Sequence, residues 1–284
     1  MIARAVFALL LLLCLNPVTR AQGWRLVWHD EFDGAQGAGV DRARWGAEVG
    51  GSGWGNRELE YYTDDKRNAH LDGRGHLIVE AIKESLPPEF KCWYGPCRYT
   101  SARLTTKQKL ARAYGRFEAR IRLPAGQGVW PAFWLLGADI DAAGWPACGE
   151  IDIMENIGRE PSRVHGTIHG PGYSGEKGIG APYTLPGGRR FADDYHTFAV
   201  EWETEEIRWY VDGALYETRK PTDLPAGAKW VYDHPFFVIL NLAIGGNWPG
   251  DTDATTSMPQ TMSVDYVRIY ERRSRPYHPA TTSR

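Results

Sequence analysis

Two things are scarce in this 284-residue chain: hydrophobic runs beyond its first fifteen positions, and any sustained 3.6-residue periodicity. Without a second long apolar stretch there is no candidate transmembrane helix after the N-terminus. Without helical periodicity a helix bundle is excluded, and so is a repeating strand–helix alternation. An excess of one charge is also missing. Lys and Arg number 33 against 35 Asp and Glu, a formal net charge of -2. No basic surplus is available for phosphates, so nucleic acid is not an expected partner. What the chain has is 43% hydrophobic residues, enough for a core, which excludes disorder. It also has 12 Trp, 14 Tyr and 32 Gly, a composition that suits strands, tight turns and aromatic platforms.

Residues 1–21 read as an export signal. Arg4 supplies the positive start, Ala5 to Leu15 is the apolar run, and Thr19-Arg20-Ala21 places small residues three and one positions before a cut. The expected destination is secreted or periplasmic, with no membrane association after removal. Cys14 leaves with the signal; a lipoprotein reading there is weakened by the bulky Leu13. Cys92 and Cys97 bracket the turn-rich Trp93-Tyr94-Gly95-Pro96, so a small disulfide staple is expected in an oxidising compartment. Cys148 is the odd cysteine and reads as a small buried apolar residue.

The dominant period is two. In Arg116 to Leu123 the odd positions are apolar and the even ones charged, the pattern of a half-buried antiparallel strand. Phe198, Val200 and Trp202 alternate likewise. Ile207–Val211, Asp212-Gly213 and Ala214–Thr218 read as a hairpin on an Asp-Gly turn. Phe236–Ile244 is a continuous apolar strand, and Val264–Tyr270 is a closing strand. Thr106–Ala113, rich in Lys, Gln, Leu and Ala, has the content of a short helix. These features predict an all-β, two-sheet sandwich forming a single domain over residues 22–271, then a short polar tail over 272–284.

The chemistry concentrates in Gly149-Glu150-Ile151-Asp152-Ile153-Met154-Glu155-Asn156, where three carboxylates fall within six residues of an apolar strand. In a regular strand Glu150 and Asp152 share a face and Glu155 points away. A bulge at Met154 would turn Glu155 onto that same face. Three acids in a row repel, so at least one should hold its proton, as acid–base chemistry requires. From spacing alone, three solvated acids on an exposed strand explain the pattern equally well. The neighbouring Trp130-Pro131-Ala132-Phe133-Trp134 favours chemistry, because indoles beside carboxylates suit sugar rings with apolar faces and polar edges. Trp202 and Trp209 read as core residues.

Glu150 to Glu155 matches the E-x-D-x-x-E signature of glycoside hydrolase family 16, in the bulged form of its laminarinases. The resemblance extends over Trp28–Asp33, Gly53–Tyr62, Tyr114–Glu118, Trp130–Trp134, Asn241–Trp248 and Asp265–Arg268. It implies a jelly-roll β-sandwich with a concave cleft, acting as a monomeric endo-glycosidase that cleaves β-1,3-glucan with retention. By motif position Glu150 corresponds to the nucleophile, Glu155 to the acid/base, and Asp152 to the residue that tunes them. Trp54, Asn56, Arg57, Trp130, Trp134 and Trp145 correspond to sugar-binding positions; His169 is placed to reach the cleft, although a hydrogen-bonded strand histidine is the commoner case.

The resemblance also implies a structural calcium on the convex side, with Glu31, Gly73 and Asp265 at the ligand positions; the reaction itself needs no cofactor. Three other readings compete. A non-catalytic β-glucan-binding protein would lack the two glutamates, which are present. A metalloenzyme built on His165, His169 and Asp152 fails on distance, since strand residues four apart lie about 13 Å apart. A mixed-linkage β-1,3-1,4-glucanase remains the alternative within the family.

Overall fold

Alternation along each strand decides which face is covered. In Gly115–Arg122 the buried Phe117, Ala119 and Ile121 alternate with Arg116, Glu118 and Arg120, which are half-buried. The charged face is laced by ion pairs, Arg116 to Glu118 at 2.6 Å and to Glu201 at 3.2 Å. The computed structural model describes residues 23–273; the expected export segment, with Cys14, and positions 274–284 of the expected tail lie outside the described residues.

Among those residues the strands form two large sheets and a two-stranded ribbon. The ten-stranded sheet runs, by residue range, 214–219, 206–211, 196–203, 115–122, 260–272, 77–83, 99–101 and 60–62. Trp24–Asp30 adds to the strand Gln260–Arg272, and Ala69–Leu71 to Leu77–Lys83. The seven-stranded sheet runs 179–184, 163–169, 150–155, 129–137, 236–244, 103–105 and 46–47. Pairing is antiparallel except between Glu60–Tyr62 and Tyr99–Ser101. The fold is a jelly-roll sandwich.

One hydrophobic core fills the space between the sheets. Trp202 and Trp209 are wholly buried in it. Phe236–Ile244 is buried at every residue because both its faces are covered. Phe236, Val238, Leu240, Leu242 and Ile244 enter the main core, while Phe237 and Ile239 join Leu136 and Cys148 in a small cluster on the outer face. Cys148 is fully buried there, and burial pushes its thiol up to about 11. The Asp212-Gly213 hairpin forms as its sequence requires, with φ of 50° and 80° at the two turn residues.

One expectation fails. Thr106–Ala113 is a turn and not a helix. The Thr106 hydroxyl donates to the Leu110 carbonyl, closing a single turn. Gln108 then takes a left-handed φ of 61°, and Arg112 bridges to Phe236, which draws the chain back to the sheet. Composition favoured a helix, but the segment has no apolar face to bury as one. The one α-helix among the described residues is the four-residue Ile140–Ala143. No helix among them is long and apolar enough to cross a membrane.

Candidate active site

The acidic strand Glu150–Glu155 lies between Val129–Gly137 and Arg163–His169 in the seven-stranded sheet. Its register slips once. Trp134 pairs with Asp152 while Phe133 pairs with Met154, so Ile153 has no partner. On the other edge Asp152 faces Thr167 and Glu155 faces His165, again with one residue extra. This bulge at Ile153-Met154 sends Ile151, Ile153 and Met154 into the core. Glu150, Asp152 and Glu155 are thereby left on the outer face. Trp209 secures the strand from behind, its indole donating to the Asp152 carbonyl at 2.7 Å.

Each glutamate has its own indole. Trp145 donates to Glu150 Oε2 at 2.9 Å, and Trp130 donates to Glu155 Oε1 at 3.0 Å. His169 Nε2 lies 3.0 Å from Asp152 Oδ2 and 3.8 Å from Glu150 Oε1. The first is an ion-pair distance without hydrogen-bond alignment, so Asp152 Oδ2 has no aligned donor.

Burial pushes the Glu150 carboxyl up to about 8, reinforced by the Asp152 charge and opposed by His169, Trp145 and Arg103. Glu155 is raised well above the usual carboxylate range, chiefly by burial and then by Asp152. Asp152 is raised by the same desolvation. All three carboxyls are therefore biased towards their neutral forms and titrate as a coupled set. Glu150 has the greater support for its charge, and Glu155 the stronger hold on a proton.

The remaining candidate residues line the same face on one side of the acids. Trp134 donates to Asn241 Oδ1 at 2.7 Å, and Asn241 donates to the Tyr62 hydroxyl at 3.1 Å. Tyr62 and Asn56 each donate to Glu58, both at 3.0 Å. The Trp54 indole donates to the Gly50 carbonyl, and Arg57 stacks over Trp93 at 4.7 Å.

Residues 54–268 match the sequence profile of glycosyl hydrolases family 16, which covers most of the chain and includes every residue of this acidic strand. The chain belongs to that family. A β-glucanase of Rhodothermus marinus is 44% identical over 261 residues, 88% of this chain and 86% of that protein. The laminarinase catalytic domain of Thermotoga maritima superposes with a TM-score of 0.82 at 48% identity, over 89% of this chain and all of that one. An endo-β-1,3-glucanase of Pyrococcus furiosus gives 0.82 at 49% identity, covering 88% of this chain and 95% of its own.

Within this family 16 chain, sequence reading passed over several residues that shape the site. Arg103 is buried with its guanidinium 4.7 Å from both Trp54 and Trp134, and it is paired with Glu48. Trp248 packs its edge against Trp130 and against His165, which faces Glu155. Glu60 is fully buried, accepts from the Ile244 amide at 2.7 Å, and is raised well above the carboxylate range by burial and by Glu58. A signal existed for Asn241, the one polar residue in an apolar run.

The calcium positions lie away from this face. Arg268 holds the Glu31 carboxylate at 2.9 and 2.7 Å, with His29 at 3.2 Å. Arg120 holds Asp265 Oδ2 at 2.6 Å. The Glu31 main-chain carbonyl faces the Gly73–Gly75 turn, 3.9 Å from the position a Gly75 Cβ would take. Both carboxylates at the expected calcium positions are thus engaged by arginines, Glu31 by Arg268 and Asp265 by Arg120. The Cys92–Cys97 disulfide is formed, with Cα atoms 5.2 Å apart.

Proposed function

We propose that this family 16 glycoside hydrolase is a secreted endo-acting β-1,3-glucanase that works by double displacement with retention. One observation carries the reading: a single bulge turns Glu150, Asp152 and Glu155 onto one face, with an indole bonded to each glutamate. Glu155 gives its proton to the glycosidic oxygen while Glu150 attacks the anomeric carbon, breaking the C–O bond and forming a glycosyl ester. Glu155, now a carboxylate, takes a proton from water, whose oxygen displaces Glu150 and restores both groups. Asp152, beside His169, regulates the charge that Glu150 must carry. Trp54, Asn56, Arg57, Trp130, Trp134 and Trp145 bind sugar rings along the cleft. The named activities of the relatives from Thermotoga maritima and Pyrococcus furiosus support β-1,3-glucan as the substrate.

The presence of both glutamates speaks against a purely glucan-binding role. The deciding experiment is product analysis on laminarin, lichenan, agarose, xyloglucan and cellulose side by side. Short oligosaccharides should accumulate from laminarin, more slowly from mixed-linkage lichenan, and not at all from cellulose. Proton NMR of early laminarin hydrolysis should show the β-anomer first. An α-anomer appearing first would remove Glu150 as nucleophile, and faster cleavage of lichenan would make the chain a mixed-linkage enzyme. A calcium ion on Glu31, Gly73 and Asp265 belongs to this proposal as a structural element only.

A further inference from the structure

Beyond Trp54 the surface opens into a cavity of about 460 Å³, lined by Trp54, Tyr61 and Trp93 with Ser52, Glu89 and Lys91 at its rim. The ribbon of Lys91–Cys92 and Gly95–Pro96 forms one wall, closed by the Cys92–Cys97 disulfide.

Trp93 is the unusual residue. It is 42% exposed, yet it is held from several directions. Its indole donates to the Glu58 carbonyl at 2.7 Å, and its amide donates to the Gly51 carbonyl at 2.9 Å. Arg57 covers it at 4.7 Å, and Tyr94 meets it edge-on at 5.5 Å. The ring also lies against Gly53, where an added Cβ would come within 2.7 Å of it. An indole fixed this firmly and left open to water is a pre-organised platform, since little conformational entropy remains to be lost on binding. Tyr61 is likewise steadied, by Phe90 at 5.0 Å.

The cavity is linked to the acidic face through packed side chains. Trp54 lines the cavity, and the Arg103 guanidinium lies 4.7 Å from both Trp54 and Trp134. We propose that Trp93, Tyr61 and the disulfide-closed ribbon form a remote subsite that takes a further glucosyl residue of the same β-glucan. Aromatic faces meet the C–H faces of the ring, while Ser52, Glu89 and Lys91 meet its hydroxyls. The inference rests on the proposed β-glucanase reading. The glucosyl residue comes either from the extended main chain or from a branch; both present the same chemistry.

The test compares the wild-type protein with Trp93→Ala and Trp93→Phe on linear β-1,3-gluco-oligosaccharides from trimer to octamer and on branched laminarin. Thermal unfolding of each variant checks that the fold is kept. For Trp93→Ala, KM on the octamer should rise roughly three- to tenfold, the worth of one aromatic contact, with kcat steady and the trimer unaffected. Phe should restore most of the loss. An effect on the octamer assigns the main chain, and an effect on branched laminarin alone assigns a branch. Equal losses at every length, or no loss on any linear oligosaccharide and none on branched laminarin, overturn the proposal. If the wild-type protein cuts no β-1,3-linked octamer, the functional reading has failed instead. The length dependence is then read on whichever glucan the protein does cut.

Discussion

Glu150 and Glu155 differ in what surrounds them more than in what they are. Glu150 has His169 3.8 Å away, an indole bond and the Arg103 charge, all favouring its anion. Glu155 also feels the His169 charge and has its own indole bond, but it lacks Arg103 among its partners, and burial with the Asp152 and Glu150 charges favours its neutral form. Glu150→Gln and Glu155→Gln should each lower kcat by several orders of magnitude and leave the fold intact, because each removes a group used in the transition state. Glu155→Ala should regain turnover on activated aryl glycosides when azide is supplied, since those leaving groups need little acid help. Near-normal kcat in either Gln variant would refute the assignment. Asp152→Asn should cost less and shift the pH–rate profile. At this scale the acids were legible because charge is conspicuous in an apolar strand. Arg103 and Glu60 were not, because a lone charge in a short strand reads as solvent-facing until the second sheet neighbour is known.

At the scale of elements, the strand Glu60–Tyr62 makes its own prediction. Glu60 Oε1 has no donor, the Glu58 carboxyl lies beside it, and its pKa is raised well above the carboxylate range. A group raised in the folded state stabilises the protein below its unfolded pKa and loses that contribution as pH climbs towards the folded value. Glu60→Gln removes the penalty, while its amide still offers an acceptor to Ile244 and a donor to Glu58. Its stability advantage over wild type should therefore widen with pH, by up to about 1.4 kcal/mol per unit above the usual carboxylate range. Denaturant unfolding at acidic, neutral and alkaline pH measures it, and a constant difference would count against a buried proton. Among elements, the strands with clear alternation, such as Gly115–Arg122, were readable from sequence. The bulge came from the resemblance to the bulged family signature and was expected at Met154; the structure leaves the preceding residue, Ile153, without a partner. The Thr106–Ala113 turn was not, since its shape follows from the pairing of Arg112 with Phe236, a contact distant in sequence.

At the scale of the molecule, the proposed calcium would tie the N-terminal segment, the Gly73 turn and the closing strand into one unit. Saturating calcium should then raise Tm by about 5–10 °C, the few kcal/mol expected of a ligand well above its Kd. Activity measured below the transition should be the same with calcium or with chelator. A Tm indifferent to both would remove the site. The two-sheet architecture was legible from period-two patterning alone, and Trp145 and His169 were expected at the cleft, whereas Arg103, from a strand distant in sequence, was not. The indole bonds have an optical consequence as well. Because Trp130 is bonded to Glu155 and Trp145 to Glu150, each acid has a fluorophore that senses whether its partner is neutral or anionic. The protein's own emission, followed through a pH titration with Trp130→Phe and Trp145→Phe as the two blanks, becomes a readout of which glutamate ionises first, obtained without substrate and without turnover.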